Sequence, residues 1–396
     1  MEFIDLKAQQ VRIKNSIDTR IATVLEHGQY IMGPEVSELE TKLAAFIGAK
    51  HCIGCASGTN ALELVLAAWN IGEGDAVFTT PFSFISTAEA IAKTGAIPIF
   101  IDICPDTYNL DVTRLNAAIG AVQTQDRSLH PLPQTAMERA LRPRAVVVVD
   151  LFGNPADYDA LLPLAKKHNL RVLEDGAQGF GGRYKNSNLC NCGCHAATTS
   201  FFPAKPLGCY GDGGGVFTND AELAALVDSL RYHGRVDAQN KNDNIRLGYN
   251  GRLDTLQAAI LLAKLEIFAD ELRLREEVAN RYTALLQKAS PNIVTPQITT
   301  GGLSTWAQYT VRLPEQADRS AVMCSLKQKA IPTTINYPKG MHSQGCLASL
   351  GYAPDDFPHT QAACASVLSL PMHPYLTEND QHLVVNALIT ACGGSL

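Results

Sequence analysis

The chain has 396 residues, 46% hydrophobic and 18% charged, with 33 basic against 39 acidic side chains and a formal net charge of -6. That length can bury a large core, and the mildly acidic balance argues against a general nucleic-acid or anionic-membrane surface, so an anionic ligand must be held by a local site. The opening MEFIDLKAQQVRIKNSID has no secretory h-region, and the longest aliphatic run, Ala145 to Val149, is far too short to cross a bilayer; a soluble, cytoplasmic protein is expected.

Residues 1 to 30 read as an amphipathic helix, with Val11, Ile13, Ile17, Ile21 and Val24/Leu25 at roughly helical spacing. The turn Gly28 to Gly33 ends it, and Pro34 opens a second helix that Gly48 caps. In KHCIGCASGTNALELVLAAWN a short strand leads through the small-residue turn Ser57-Gly58-Thr59 into a helix from Asn60. Such a turn offers free N–H groups at a helix start, a ready cradle for phosphate. Strand-like runs follow at Ala76 to Thr80, Ile97 to Ile101, Ala145 to Leu151 and Arg171 to Leu173, alternating with helices such as Thr87 to Thr94 and Tyr158 to Asn169. This alternation predicts an α/β fold with a mainly parallel sheet covered on both faces. The polar, Pro-containing stretch Gly120 to Arg144 breaks the rhythm and reads as a surface insertion.

Further on, Thr198 to Phe202 ends in a Pro-flanked lysine, Lys205, and a glycine cluster leads into a second apolar run, Gly214 to Phe217. A helix from Asp220 to Tyr232, a polar loop from Gly234 to Asn244 and an uninterrupted helical pattern from Asp254 to about Lys288 come next. The long helix divides the chain into a large domain, 1–253, and a small α+β domain, 254–396. The latter is read as strand Trp306 to Leu313, helix Arg319 to Lys329, strand Pro332 to Tyr337, helix Pro358 to Ser366 and helix Glu378 to Cys392. Eleven scattered cysteines read as reduced thiols; Cys190, Cys192, Cys194 and His195 crowd within six residues, unlike the separated ligand pairs of tetrahedral sites, and no metal is expected.

Four features fall at strand ends or turns of one sheet: the Ser57-Gly58-Thr59 cradle, an aromatic in PFSF (Phe82 or Phe84), Asp175 with Gln178 nearby, and Lys205. Together they describe a pocket for pyridoxal 5'-phosphate (PLP). Lys205 can bond the cofactor aldehyde, Asp175 can keep the pyridine nitrogen protonated, Gln178 can donate to the ring hydroxyl and Ser200 can add a phosphate contact.

With these motifs in place, the chain resembles the DegT/StrS-type nucleotide-sugar aminotransferases nearly end to end, through GQYIMGPEVSELE, SGTNALELVL, EDGAQGFGG, SFFPAKPLGCYGDGGGVFTND and NGRLDTLQAAILLAKLEIF. The resemblance implies the fold-type I, aspartate-aminotransferase-like architecture with PLP as cofactor. It implies that Lys205 carries the cofactor, that Asp175 and Gln178 contact the ring and Phe84 stacks on it, and that Gly58, Thr59 and Ser200 hold the phosphate. Asn250 would reach the phosphate of a neighbouring subunit, making the active unit a homodimer with shared sites. The branch resembled most aminates a 3-keto UDP-N-acetylhexosaminuronate, with L-glutamate as donor, toward bacterial surface polysaccharide. There Arg252, Asn336 and Tyr337 fall on the sugar side. Asn336 stands where the branch often has His, and Gly176 where Ala is expected. The alternatives are an aminotransferase for a 4-keto-6-deoxy nucleotide sugar and, from another class, a nonenzymatic PLP-binding regulator, for which no basic helix-turn-helix pattern is present.

Overall fold

The computed structural model describes residues 1–236 and 243–394. Helix α1 (Leu6–His27) starts at Asp5, whose carboxylate accepts the Ala8 N–H at 2.8 Å, and stops at Gly28, which takes the left-handed conformation (φ 69°) that ends helices. Its buried side includes Ile13, Ile17 and Val24, while Val11 and Leu25 are exposed against the sequence pattern. Helix α2 (Pro34–Ile47), β1 (His51–Cys55), α3 (Gly58–Ala68), β2 (Asp75–Thr79), α4 (Ser86–Lys93) and β3 (Ile97–Phe100) follow. Next come α5 (Val112–Thr124), the short α6 (Gln134–Glu138), β4 (Arg142–Val149), α7 (Tyr158–Lys167) and β5 (Arg171–Asp175). A two-strand hairpin, β6 (Arg183–Tyr184) and β7 (Ser187–Asn188), precedes β8 (Ala196–Ser200), β9 (Gly214–Thr218) and α8 (Ala221–Arg231). The remainder holds α9 (Thr255–Ala289), β10 (Gly302–Leu303), β11 (Tyr309–Arg312), α10 (Arg319–Gln328), α11 (Pro358–Ser366), β12 (Val367–Leu370) and α12 (Glu378–Ala391).

Seven strands form one sheet in the order β1-β9-β8-β5-β4-β2-β3. From β8 to β3 every pairing is parallel, and β9 alone runs antiparallel to both of its neighbours. The mainly parallel α/β sheet expected from the alternating pattern is therefore present. Because side chains alternate across a strand, Val146 and Val148 of β4 pack with α5 and α7, whereas Ala145 and Val147 pack with α3, α4 and α8. Burial on both faces explains why β4 reads as an unbroken valine run.

Helix α9 spans 35 residues and serves two packing centres. Its first half, with Ala258, Leu261, Leu262 and Phe268, joins α2 and the Phe180 cluster; its second half, with Val278, Tyr282 and Leu286, packs on β11, β12 and α12. Among the described residues no helix is long and apolar enough to cross a membrane.

Two expectations need correction. The stretch Gly120 to Arg144 is not a surface insertion: Leu132, Ala136 and Leu141 are buried in the same cluster as α5 and β2, and the His130 ring meets the Phe100 carbonyl at 2.7 Å. Its apolar residues are single and irregularly spaced, so they leave no periodic trace. Nor is Pro332 to Tyr337 a strand; only Thr334 bridges, to Ser369, and the partner of β11 is β12. Prolines at both ends of that run restrict its pairing. The cysteines of the Cys190 to His195 stretch disperse, Cys190 into the Phe180 cluster and Cys192 into the α5 cluster, while His195 Nδ1 accepts the Val172 N–H at 3.0 Å. Of the polar loop from Gly234 to Asn244, residues 237–242 lie outside the described residues.

Phe180 stacks on Phe217 and Phe268 at 5.6 and 5.8 Å between ring centres, tying the sheet to α9. Phe180→Ala is expected to cost about 3–5 kcal/mol, read as a lower urea midpoint with an unchanged denaturant slope.

Candidate active site

Parallel strands present their carboxyl ends on one edge of a sheet, where ligand crevices form. A cavity of about 590 Å³ opens there, lined by Val149, Asp175 and Ser200, the last residues of β4, β5 and β8. Gly58 and Thr59 border it from the start of α3, and Phe84 from the turn after β2. Lys205, Gln178, Asn336 and Tyr337 complete the set of expected residues in its wall.

The phosphate-cradle expectation rests on helix geometry. Ser57 caps α3 by accepting the Asn60 N–H at 3.0 Å, leaving the Gly58 and Thr59 amides at the positive end of the helix, where no intrahelical acceptor exists. Glycine is required at Gly58 because a Cβ would lie 2.6 Å from Ser200 Cβ. The same crowding recurs on the other side: a Cβ at Gly214 would meet the Ser57 carbonyl carbon and oxygen at 2.4 Å.

Asp175 is 4% exposed. Its Oδ2 accepts the Thr87 hydroxyl at 2.7 Å and its Oδ1 the Ala177 N–H at 3.3 Å. Burial pushes this carboxyl above the usual carboxylate range, while the Thr87 and Ala177 donors and the nearby Lys205 charge pull it back. Burial likewise pushes the Lys205 amine below its ordinary value, opposed by the Asp175 charge. Gln178 is tied at both ends: its Oε1 accepts the Phe152 N–H at 2.7 Å and its Nε2 donates to Tyr337 Oη at 3.2 Å. Tyr337 is shifted upward by burial. Asn336 turns its amide toward Ser369 Oγ, 3.3 Å away.

Of the two candidate aromatics, Phe82 is fully buried among Tyr108, Phe152 and Val149, and Phe84 is the one at the cavity, 55% exposed. Asn250 and Arg252 are not among the lining residues. They bond to one another, and Arg252 lies over the Tyr232 ring at 4.8 Å.

A buried acid near a half-buried amine, beside an anion cradle and an exposed aromatic face, fits a planar ring with a basic nitrogen, a carbonyl arm and a phosphate arm. Residues 11–389 match the DegT/DnrJ/EryC1/StrS aminotransferase family. The chain belongs to that family. This aminotransferase is 46% identical over 388 residues to the UDP-2-acetamido-2-deoxy-3-oxo-D-glucuronate aminotransferase of Pseudomonas aeruginosa, covering 98% of this chain and 99% of that one. It is similar to a crystal structure of a DegT DnrJ EryC1 StrS aminotransferase from Brucella abortus, with a TM-score of 0.89, 42% identity and coverage of 99% and 100% of the two chains. It also resembles NtdA from Bacillus subtilis, solved with bound cofactor PMP, at a TM-score of 0.84 and 26% identity, covering 99% of this chain and 83% of that one.

Sequence reasoning missed several parts of the aminotransferase cavity. Phe3 and Ile4 line it from the N-terminal segment, which is held to the small sheet's end by the Met372 N–H on the Phe3 carbonyl at 3.1 Å. Asp212 lines it from the glycine cluster, and Thr87 orients Asp175. No local pattern marks the Phe3 and Thr87 contacts, since each joins segments far apart in the chain.

The Gly58–Ser200 contact is directly testable. Gly58→Ala is expected to destabilise the fold by about 1–3 kcal/mol through overpacking, and the added Ser200→Gly change to recover most of that loss. Thermal unfolding of both variants checks it; equal losses in the single and double variants would exclude the steric account.

Proposed function

We propose that this aminotransferase uses PLP to transfer an amino group from L-glutamate to the ketone of a UDP-linked 3-keto N-acetylhexosaminuronate. The observation that carries the reading is the single cavity that unites Lys205, Asp175 and the Gly58-Thr59 cradle. The substrate class is supported by the 46% identity, nearly end to end, with an enzyme named for that substrate.

In this reading Gly58, Thr59 and Ser200 hold the phosphate, Phe84 covers one face of the ring and Asp175 holds a proton at the ring nitrogen. Bound there, PLP supplies an electron-withdrawing ring that stores the electron pair left when a proton leaves the carbon bearing the transferred nitrogen. Thr87 keeps Asp175 aimed by its 2.7 Å hydrogen bond. Burial shifts the Lys205 amine toward its uncharged form, the form that takes the proton from the donor carbon and returns it from the same Nζ. Gln178 and Tyr337 form one bonded wall of the cavity, and with Asn336 they face the sugar.

The working unit is a homodimer in which Asn250 and Arg252 serve the neighbouring subunit's cavity. Two features support this: neither residue lines its own chain's cavity, and the adjoining Ile245 and Leu247 are 57% and 98% exposed, an apolar surface that a second copy would cover. Arg252 then offers a two-pronged partner for the uronate carboxylate.

The deciding experiment is an absorbance titration of PLP-loaded protein with L-glutamate, followed by 3-keto and 4-keto UDP-sugars supplied separately. The visible cofactor band is expected to bleach with glutamate and to return only with the 3-keto uronate. Return only with a 4-keto sugar would move the substrate assignment. No band despite added PLP would sink the cofactor reading. Lys205→Ala is expected to lose turnover completely while keeping the wild-type unfolding midpoint of the protein without cofactor; normal transamination by this variant would exclude the role given to Lys205.

A further inference from the structure

Behind Asp175 lies a second acidic pair that the proposed chemistry does not use. Strands β4 and β5 pair with Val148 opposite Glu174 and Val149 opposite Asp175, and the Asp150 N–H bonds the Asp175 carbonyl at 3.2 Å. This register puts Asp150 and Glu174 on one face of the sheet as diagonal neighbours, and the two carboxyls are hydrogen-bond partners of each other. Both residues have no solvent exposure. Asp150 Oδ1 accepts Tyr158 Oη at 2.7 Å and the Ala156 N–H at 2.9 Å, and Glu174 Oε1 accepts the Cys190 N–H. Among the described residues the second oxygen of each, Asp150 Oδ2 and Glu174 Oε2, is buried without a well-formed hydrogen bond, the weak Cys194 thiol being the one donor beside Glu174.

Two neighbouring buried carboxyls that each keep an unpaired oxygen call for a hydrogen between them. The titratable groups that face the pair are Asp175, Tyr158 and the thiols of Cys190, Cys192 and Cys194; no cation is among these described neighbours.

We propose that Asp150 and Glu174 share a single proton, and that the pair, carrying one negative charge instead of two, is a positioning element that sets the charge state of Asp175. With both carboxyls ionised, three buried carboxylates would lie on two adjacent strand ends, and Asp175 would be driven toward its neutral form. With one proton shared, Asp175 keeps its charge. This role rests on the functional reading above, whereas the shared proton itself does not.

Burial of the pair pushes Asp150 up to about 7 and Glu174 upward as well. A folded-state value above the unfolded one means that the native state binds the extra proton, so this contribution is fully present below the unfolded carboxyl range and is lost as pH rises through about 7. Buried His130, His342 and His373 are shifted down by burial and act in the opposite sense, so the comparison must be differential.

The test is urea unfolding of the full chain without added cofactor from pH 5 to pH 8, for wild type, Glu174→Gln and Asp150→Asn. Either amide supplies a permanent donor to the remaining carboxylate. The wild-type stability is expected to fall relative to each variant with a slope of about one proton. Parallel curves would overturn the shared proton. Should neither variant fold, infrared spectra of the wild type decide: the carbonyl stretch of a neutral carboxyl persists in the native protein at neutral pH, and its absence overturns the proposal.

The positioning role has its own readout in PLP-loaded protein. Each single variant keeps one negative charge and is expected to leave the pH midpoint of the cofactor absorbance unchanged. The double variant removes that charge and is expected to lower the midpoint by about one pH unit. An unmoved midpoint in the double variant would overturn the role. Failure of the glutamate titration with these results intact would instead count against the functional reading.

Discussion

One buried carboxylate set near one half-buried amine organises this protein. Asp175 closes β5 and Lys205 stands on the loop after β8, and each is held in surroundings that penalise its charge. Thr87 and the Ala177 N–H offset the cost of burying the acid, and the nearby Lys205 charge adds to them. The parallel sheet supplies the geometry, since consecutive strand ends converge on one edge, and Thr87 from α4 supplies the hydrogen bond that fixes the acid's direction. The remaining wall comes from distant parts of the chain: Phe3 and Ile4 at the start, Gln308 and Thr334 toward the end.

The parts of this arrangement that the sequence discloses are those with local signatures. Asp175 and Lys205 each end a short apolar run, and the Ser57-Gly58-Thr59 turn precedes a helical pattern, so strand periodicity and turn chemistry were enough to find them. Phe84 could not be separated from Phe82, because both sit in one tetrapeptide and only packing sends Phe82 into the core. The four-residue β12 was invisible for another reason: VLSL is too short to show a period and abuts α11 without a turn. Leu132, Ala136 and Leu141 show the converse, isolated apolar residues that a polar stretch carries into the core. Thr87 and the N-terminal pair escaped because their roles depend on contacts 88 residues or more away, as with Thr87 and Asp175.

Charge is rationed in the same region. The Asp150–Glu174 pair lies one residue from the acid that faces the cavity, and its surroundings of tyrosine and thiols offer hydrogen bonds but no positive charge. The Cys190 to His195 stretch thus has a structural meaning: its backbone supplies a donor to Glu174 through Cys190, and its side chains fill the space beneath two clusters. Asn250, by contrast, is exposed, and it accepts a hydrogen bond from the half-buried Arg252.

The contact between Gly214 and the Ser57 carbonyl has a wider bearing. It presses the return strand of the lysine loop against the turn at the start of α3, while Ser200, where that loop begins, presses against Gly58 of the same turn. Both ends of the loop are therefore pinned to one short segment of backbone. Its length becomes a fixed dimension of the architecture: an insertion or deletion would pull the lysine and the anion cradle out of step with each other.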